Sequence, residues 1–429
     1  MGNRICIIGA GPSGITAAKN MLAEDLDDCV VFEKSDQVGG NWVFREEESH
    51  SSVCETTHII SSKRWSQYED FPMPDDFPDY PSHQHLKTYF QNYARHFGVM
   101  EKIRFNTTVE ALSRRDDGSW LVRSRDADGA KEEVFDFLLV ASGHHWDPRM
   151  PSYPGHFDGE IIHSHTYKKA EPYRDKRVLV VGGGNSACDV AVETARVSAR
   201  TCISMRRGQH IVPKFMFGLP SDTVYTWMLW MPRRLRQYLL GLTVWLWQGS
   251  YERYGLLKPE RPPLEMHPTL NSELLYFIRH GEIHPRRGIE RFENKTVFFS
   301  DGVCEEFDAI IYATGFRTSF PYFETSFIDY RDATEVPLYR KMIHADYDNL
   351  FFIGLFQPLG CIWPLADYQA RIAAKQITGR WQRPANLAEL IKKEVNNPHF
   401  NFEKRPRHAV EVDYHILRKE LLSELAKAR

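Results

Sequence analysis

No Cys-x-x-Cys pair occurs anywhere in the 429 residues. The seven cysteines, at positions 6, 29, 54, 188, 202, 304 and 361, are odd in number and scattered. That argues against a zinc ribbon or a redox-active disulfide, and reads as reduced thiols in a cytoplasmic enzyme. Also missing is an excess of basic charge. Lys and Arg total 54 against 57 Asp and Glu, a formal net charge of −3. General nucleic-acid binding, which needs a basic face, is thereby disfavoured. The amino end begins directly with an apolar strand, which leaves no room for a secretory signal. What the chain does have is 42% hydrophobic and 13% aromatic residues, enough for well-packed globular domains. Its length points to two or three of them.

The first strand, Ile5-Cys6-Ile7-Ile8, is apolar throughout, as a buried parallel strand is. It leads into Gly9-Ala10-Gly11-Pro12-Ser13-Gly14, a G-x-G-x-x-G fingerprint, and then a helix predicted over 15–21. The first glycine permits a tight turn, the second lets a pyrophosphate approach the backbone, and the third lets helix and strand pack closely. Free N–H groups at the helix start hold the phosphates. A second strand, Val30-Val31-Phe32, ends in Glu33, followed by Lys34. Glu33 lies about 20 residues past the last glycine, where an acid reaches a ribose hydroxyl.

Residues 34–82 are irregular and aromatic. Gly39-Gly40-Asn41-Trp42 combines close backbone approach with a large flat side chain, and 71–78 holds too many prolines for a helix. A loop this long in a compact domain is more often functional than idle. Leu86, Tyr89, Phe90, Tyr93, Ala94 and Phe97 then mark a helix with one apolar stripe, read as core, that Gly98 stops. Three β segments are predicted near 104–112, 119–125 and 133–140, with aspartate–glycine turns between them.

A proline-rich linker, 146–173, contains Phe157, Gly159, His163 and Tyr167 in the pattern FxGxxxHxxxY. After it the chain starts again. Val178-Leu179-Val180-Val181 is a buried strand, and Gly182-Gly183-Gly184-Asn185-Ser186-Ala187 is a second fingerprint with alanine at the third glycine position. A helix is predicted over 189–196. The next strand, 201–205, ends in Arg206-Arg207 instead of an acid. Residues 308–315 echo 136–143, so fingerprint and closing strand each occur twice in the same order: an internal repeat. A carboxylate after the second strand suits the ribose of FAD or NAD, whereas arginine there pairs with a 2′-phosphate. The first site is therefore assigned to FAD and the second to NADPH. The fold class follows: α/β, two Rossmann-like dinucleotide-binding domains, the second inserted in the first. The expected bounds are 1–165 with 312–429 for FAD and 166–311 for NADPH.

An insertion at 211–282 holds Trp227, Trp230, Trp245 and Trp247, with Arg233, Arg234 and Arg236 between them. Neither apolar half reaches the ~20 residues of a transmembrane helix. Two readings stay open: a helical lid over the active site, or a helix lying on a membrane or partner. A strand at 350–355, a loop at 357–363 and a helix at 364–377 return to the first domain, with the flavin ring expected near 40–42 and that helix start, whose N-terminus favours negative charge. Residues 385–429 read as an outer, largely charged helical cover.

The chain resembles the class B flavin-dependent monooxygenases of the flavin-containing monooxygenase family. Residues 157–167 match that family's linker signature in full, and Tyr167, where Baeyer–Villiger relatives usually carry tryptophan, favours heteroatom oxygenation. Other matching stretches are 38–42, 70–78, 184–189, 313–316 and 353 onward to 373. Residues 105–109 and 210–213 are similar to the plant YUCCA branch, which acts on a 2-oxo acid. The resemblance implies that NADPH reduces FAD, and that oxygen forms a C4a-hydroperoxide which hands its distal oxygen to an amine or sulfide of a small molecule. The cofactor performs the hard chemistry. Val109, Gln357 and Ile60 join the cofactor contacts on the same ground. Many relatives carry an asparagine just before Ser-Ser-Lys; here Ile60 precedes Ser61-Ser62-Lys63. An aliphatic side chain cannot donate that hydrogen bond, so Ser61, Ser62 and His58 are the candidates to replace it; the same departure keeps Baeyer–Villiger or YUCCA-type oxygenation of a carbonyl open as the alternative, with a non-catalytic nucleotide-binding, membrane-associated protein as a third reading. His163 and Tyr167 are expected to act in conformational change. No metal site is expected. A homodimer and peripheral membrane contact through the insertion are left open.

Overall fold

Ile5–Ile8 (β1) is buried along its whole length, as a central parallel strand must be. The structure, a computed structural model, describes residues 3–47, 49–400, 402 and 404–428. β1 turns into α1 (Pro12–Leu22), where Pro12 opens the helix at a position that has no use for its missing N–H. β2 (Cys29–Phe32) pairs parallel with β1, Ile8 opposite Phe32. After a 3-10 turn at Gly40–Trp42 and a short α2 (Lys63–Ser66) comes α3 (His83–His96). A capping box between Ser82 and His85 starts α3, and Leu86, Tyr89, Phe90, Tyr93 and Ala94 form its buried stripe. β3 (Ile103–Arg104) extends the parallel sheet beyond β2. An antiparallel meander follows: β4 (Thr108–Arg114), β5 (Trp120–Asp126) and β6 (Gly129–Phe135). β7 (Phe137–Val140) then pairs with β1 on its other side.

Two of the three expected β segments are thus two strands each. The first breaks at Asn106, in left-handed conformation with φ 51°, between the parallel sheet and the meander. The third breaks at Asp136, where the chain leaves the meander for the parallel sheet.

The second half of the repeat is β8 (Glu160–His163), β9 (Arg177–Val181), α4 (Asn185–Ala195) and β10 (Arg200–Ser204). The insertion supplies α5 (Ser221–Thr226), α6 (Arg233–Gln248) and α7 (Leu274–Arg279). β11 (Ile283–Arg286), a second meander of β12 (Ile289–Glu293), β13 (Thr296–Phe299) and β14 (Cys304–Glu306), and β15 (Ala309–Tyr312) complete it. Its parallel sheet runs β11-β10-β9-β15-β8. Among the described residues no helix is long and apolar enough to cross a membrane.

The chain then returns through β16 (Leu350–Phe352), α8 (Trp363–Ile377), α9 (Leu387–Asn396) and α10 (Tyr414–Leu425). β16 joins the first sheet beside β7 and gives the order β3-β2-β1-β7-β16, the counterpart of the second. α8 beds on α1 through a buried polar network. Asp367, 2% exposed, accepts hydrogen bonds from Thr16 Oγ1 (2.6 Å) and Asn20 Nδ2 (2.8 Å). It also pairs with Lys19 (3.0 Å) and Arg371 (2.7 Å). These cations hold its carboxyl below the usual range against the opposing effect of burial. The tail is more than a cover: Leu417 and Leu421 lie in the core of this unit.

Two compact units result: 1–44, 57–147 and 317–429, and 45–56 with 148–316. The second unit starts at 148 and not at the expected 166 because β8 pairs with β15 and so belongs to the second sheet, and it runs to 316 where 311 was expected.

Candidate nucleotide-binding sites

In the first unit the fingerprint caps α1 without any side chain. Gly11 stands at the helix N-cap in extended conformation and supplies no side-chain cap; an anion fits there. Gly9 has φ +102°, and a Cβ on it would lie 2.9 Å from the Ala141 carbonyl oxygen. A Cβ on Gly14 would lie 1.8 Å from the Gly9 oxygen, whereas one on Gly11 would meet only Gly40 Cα at 3.6 Å. The third glycine therefore serves packing, and the second faces open space beside Gly40. Ser13 presses against Gly354, at the end of β16.

Glu33 closes β2 and is 4% exposed. One carboxylate oxygen accepts from Ala10 N (2.7 Å) and the other from Ser35 N and Oγ (both 2.8 Å). The carboxylate is thus fixed against the fingerprint with lone pairs left for ribose hydroxyls. Lys34 places its ammonium 5.5 Å from the Trp146 ring. Asn41 and Trp42 lie on the 3-10 turn that begins at Gly40, and Trp42 packs edge-on against Trp363 at 5.8 Å. Val109 is buried in β4 beside a bulge. Gln357 Oε1 is buried with no hydrogen-bond partner among the described residues, an acceptor awaiting a donor. Beside it stands His144, which composition and spacing did not single out. Burial holds His144 well below the usual histidine range, so it is neutral.

The three candidates for the missing asparagine separate. Ser61 is buried, its hydroxyl 2.8 Å from Ser66 Oγ. Trp363 Nε1 donates to the Ser66 carbonyl. Ser66, which Ser61 touches, therefore ties α2 to the start of α8. Ser62, also buried, is the N-cap residue of α2. His58 is exposed and bridges Ser82 through the backbone. Ile60 is half-buried.

The second unit repeats the cradle. Gly184 is the extended N-cap of α4, again with no side-chain cap, and Ala187 is fully buried. Asn185 Oδ1 accepts from Leu270 N (2.8 Å), and Thr269 Oγ1 donates to the Gly183 carbonyl (2.8 Å), so part of the insertion is docked on the fingerprint. Ser186 and Arg206 are exposed and Arg207 is half-buried. A second arginine pair, Arg286 and Arg287, ends the neighbouring strand β11. Arg286 is paired with Glu305 (2.6 Å), while the Ser204 hydroxyl donates to the Arg287 carbonyl. Arg287 is a further candidate, since Arg-Arg at 286–287 copies 206–207 at the end of the adjacent strand.

The linker signature lies in this unit. A Cβ at Gly159 would meet the Phe157 ring at 2.5 Å. His163 is buried, packs edge-on against Phe316 at 5.2 Å and is pushed down to about 4, by burial first and His165 second. Tyr167 donates to Glu193 Oε2 (3.3 Å).

A family model described as flavin-binding monooxygenase-like matches residues 2–428. The chain belongs to that family. It is 34% identical over 419 residues to rabbit (Oryctolagus cuniculus) dimethylaniline monooxygenase [N-oxide-forming] 2, covering 92% of this chain and 78% of the relative. Human flavin-containing monooxygenase 5 is 33% identical over 452 residues, covering 99% and 83%. In fold it is similar to S-allyl-L-cysteine S-oxygenase from Allium sativum, with TM-score 0.73, 20% identity and coverage of 99% and 89%. This flavin monooxygenase uses FAD and NADPH. Its residues fit both groups. The uncapped α1, fixed Glu33 and orphaned Gln357 Oε1 suit FAD. The uncapped α4 and the arginines beyond β10 and β11 suit NADPH.

Proposed function

We propose that this monooxygenase oxygenates the amine nitrogen or sulfide sulfur of a small molecule, consuming one NADPH and one O2 per product oxide and releasing water. The duplicated, uncapped cradle with an acid after one second strand and arginines after the other carries this reading. The N-oxide-forming relative at 34% identity supports the nitrogen or sulfur target. When bound, FAD supplies the two-electron relay between nicotinamide and oxygen. The protein's own tasks are holding, orienting and drying. The α1 N-terminus holds pyrophosphate charge, Glu33 orients a ribose, Trp42 and Trp363 wall the flavin region with apolar rings, and Arg206 reads the 2′-phosphate. A nitrogen or sulfur lone pair needs no base to attack.

NADPH consumption, peroxide and product are measured together with an amine, a sulfide, a ketone and a 2-oxo acid. Oxide formed in step with NADPH supports the reading. Peroxide equal to NADPH with every amine and sulfide overturns it. Ile60, where relatives carry asparagine, favours a second reading, oxygenation at a carbonyl, and turnover of the ketone or 2-oxo acid alone would establish that instead.

We infer further that the insertion rests on an anionic membrane surface. In α6 Val244 is the buried residue, while Leu235, Tyr238, Leu242, Trp245 and Leu246 are exposed at helical spacing. Trp227 and Trp230 add to the patch, Trp230 at 79% exposure. Arg233, Arg234 and Arg236 supply the complementary charge. Aromatic residues beside arginines are the composition of an interfacial helix. Flotation with anionic vesicles should be lost in a Trp227→Ser, Trp230→Ser, Trp245→Ser variant; equal flotation would refute the assignment.

A further inference from the structure

Arg340 and Lys341 stand one after the other in left-handed conformation, with φ 51° and 57°. Side chains disfavour that conformation, and it persists only where the surroundings hold it. Here two helices hold Arg340. Its backbone N–H donates to Glu394 Oε2 on α9 (3.0 Å), and its guanidinium pairs with Glu394 Oε1 (3.0 Å). The same guanidinium reaches two carboxylates of α10, Glu420 (2.9 Å) and Glu424 (3.4 Å). Glu424 is 1% exposed and also accepts from the Tyr339 hydroxyl (2.6 Å). Both helices thus grip one strained turn and fix the direction of its carbonyl.

That carbonyl accepts from Gln369 Nε2 on α8 (2.9 Å). Gln369 is fully buried, and its other end, Oε1, accepts from Gly354 N (2.9 Å). A side-chain amide suits the place because it donates at one end and accepts at the other. Gly354 stands two residues beyond β16 with φ +80°, and a Cβ there would collide with the Ser13 hydroxyl. Ser13 lies in the first turn of α1, where N–H groups are free to meet phosphate. Arg340, Gln369, Gly354 and Ser13 all belong to the first unit.

We propose that Gln369 is a positioning residue for FAD: it carries the pose of the Arg340 turn to Gly354, and so sets the wall against which Ser13 and the start of α1 sit. This rests on the assignment of the first cradle to FAD. Gln369 acts on the nucleotide only through Gly354 and Ser13, and Arg340 only through Gln369. Hydrogen bonds weaken steeply with misalignment, so a small displacement of Gly354 and Ser13 lowers the affinity of the helix start for phosphate.

The test titrates apoprotein with FAD, reads affinity from the quenching of flavin fluorescence, and records the phosphorus NMR resonances of the bound pyrophosphate. Gln369→Met keeps the bulk of the side chain and removes both hydrogen bonds. It is expected to weaken FAD binding at least about tenfold and to shift the phosphorus resonances. Asn349→Ala is the comparison. Asn349 precedes β16 at its other end and donates to the carbonyls of Gly118 (2.8 Å) and Asp136 (2.7 Å). That variant also loses two donated bonds and should melt lower, yet keep FAD affinity within about threefold of wild type and leave the resonances in place. FAD affinity of Gln369→Met within about threefold of wild type, or an equal loss and shift in Asn349→Ala, overturns the positioning role.

If Gln369→Met does not fold, Arg340→Lys takes its place. It keeps one positive charge but lacks the fork that reaches the carboxylates of α9 and α10 together. It is expected to weaken FAD binding at least about threefold with shifted resonances; wild-type affinity and resonances overturn the proposal. Gly14→Ala, titrated alongside, separates the two readings. A loss of FAD affinity there without one in Gln369→Met removes only the positioning role. No loss in either removes the cradle assignment as well.

Discussion

Gly14→Ala tests the first cradle most directly. The added Cβ would lie 1.8 Å from the Gly9 carbonyl oxygen, and real Cβ contacts do not fall below 3.0 Å, so turn and helix must part by about 1.2 Å. The obstacle is backbone, with no rotamer to yield. Inserting a methyl group into a packed site costs about 1–3 kcal/mol even where side chains move, and here the upper end applies. Opening the turn also swings Ala10 N away from Glu33 and tilts the α1 N-terminus, the proposed holders of ribose and pyrophosphate. At 1.4 kcal/mol per tenfold, a loss near 3 kcal/mol weakens FAD binding by about 100-fold. The assay is titration of apoprotein with FAD, followed by quenching of flavin fluorescence. The reciprocal change, Ala187→Gly in the second cradle, costs about 1 kcal/mol of helix propensity and should alter NADP+ affinity by less than about fivefold. FAD affinity of Gly14→Ala within about threefold of wild type would refute the steric argument.

Asp367→Ala strips the partner shared by Thr16, Asn20, Lys19 and Arg371. Lys19 keeps Asp70 at 2.6 Å, but breaking a buried pair costs about 3–5 kcal/mol, so scanning calorimetry should show the first unit melting several degrees lower. Arg206→Ala should raise KM for NADPH about 10–100-fold, the worth of one charge-assisted hydrogen bond, and leave KM for NADH unchanged; equal effects on both would place Arg206 away from the 2′-phosphate. Glu193, raised from about 4.5 to about 7, binds more protons in the folded state than in the unfolded one. It therefore favours folding fully below pH 4.5, and that contribution is lost as pH rises to 7. Glu193→Gln should raise the melting temperature of the second unit at pH 8 relative to wild type, and the gap should shrink towards pH 5. Ile60→Asn restores a hydrogen-bond donor and should lower the share of NADPH electrons released as peroxide.

The repeat was legible because its markers are dense: four apolar residues, a fingerprint, then a closing strand that ends in a small residue and glycine. The two meanders were less so. Their strands are short and half polar, and Asn106 and Asp136 hide the changes of sheet inside what reads as continuous β pattern. That residues 45–56 join the second unit left no mark at all, since Ser51, Ser52 and Cys54 are ordinary loop residues until Lys168 and Glu193 are brought to them. The carboxyl-terminal tail misled by composition: its charged residues hide the stripe Tyr414, Leu417, Leu421 and Glu424, which sends one face of α10 into the core. Glu33 and Arg206 became candidates from their position after a strand. His144 and Arg287 depend on which strands become neighbours.

One cradle serves twice because helix N-terminus and glycine turn are indifferent to which nucleotide they hold; the neighbouring side chains decide. Glu33 is buried, and both of its oxygens are fixed by Ala10 and Ser35 before any ribose arrives. A group already immobilised loses little freedom on binding, and such preorganisation favours tight, slow exchange. Arg206 stands exposed on a flexible stem. In the proposed role it gains its interaction only when a dianionic phosphate orders it, which trades affinity for turnover. The contrast matches the two roles: a resident FAD in the unit built from both ends of the chain, and an NADPH that enters and leaves the unit inserted between them.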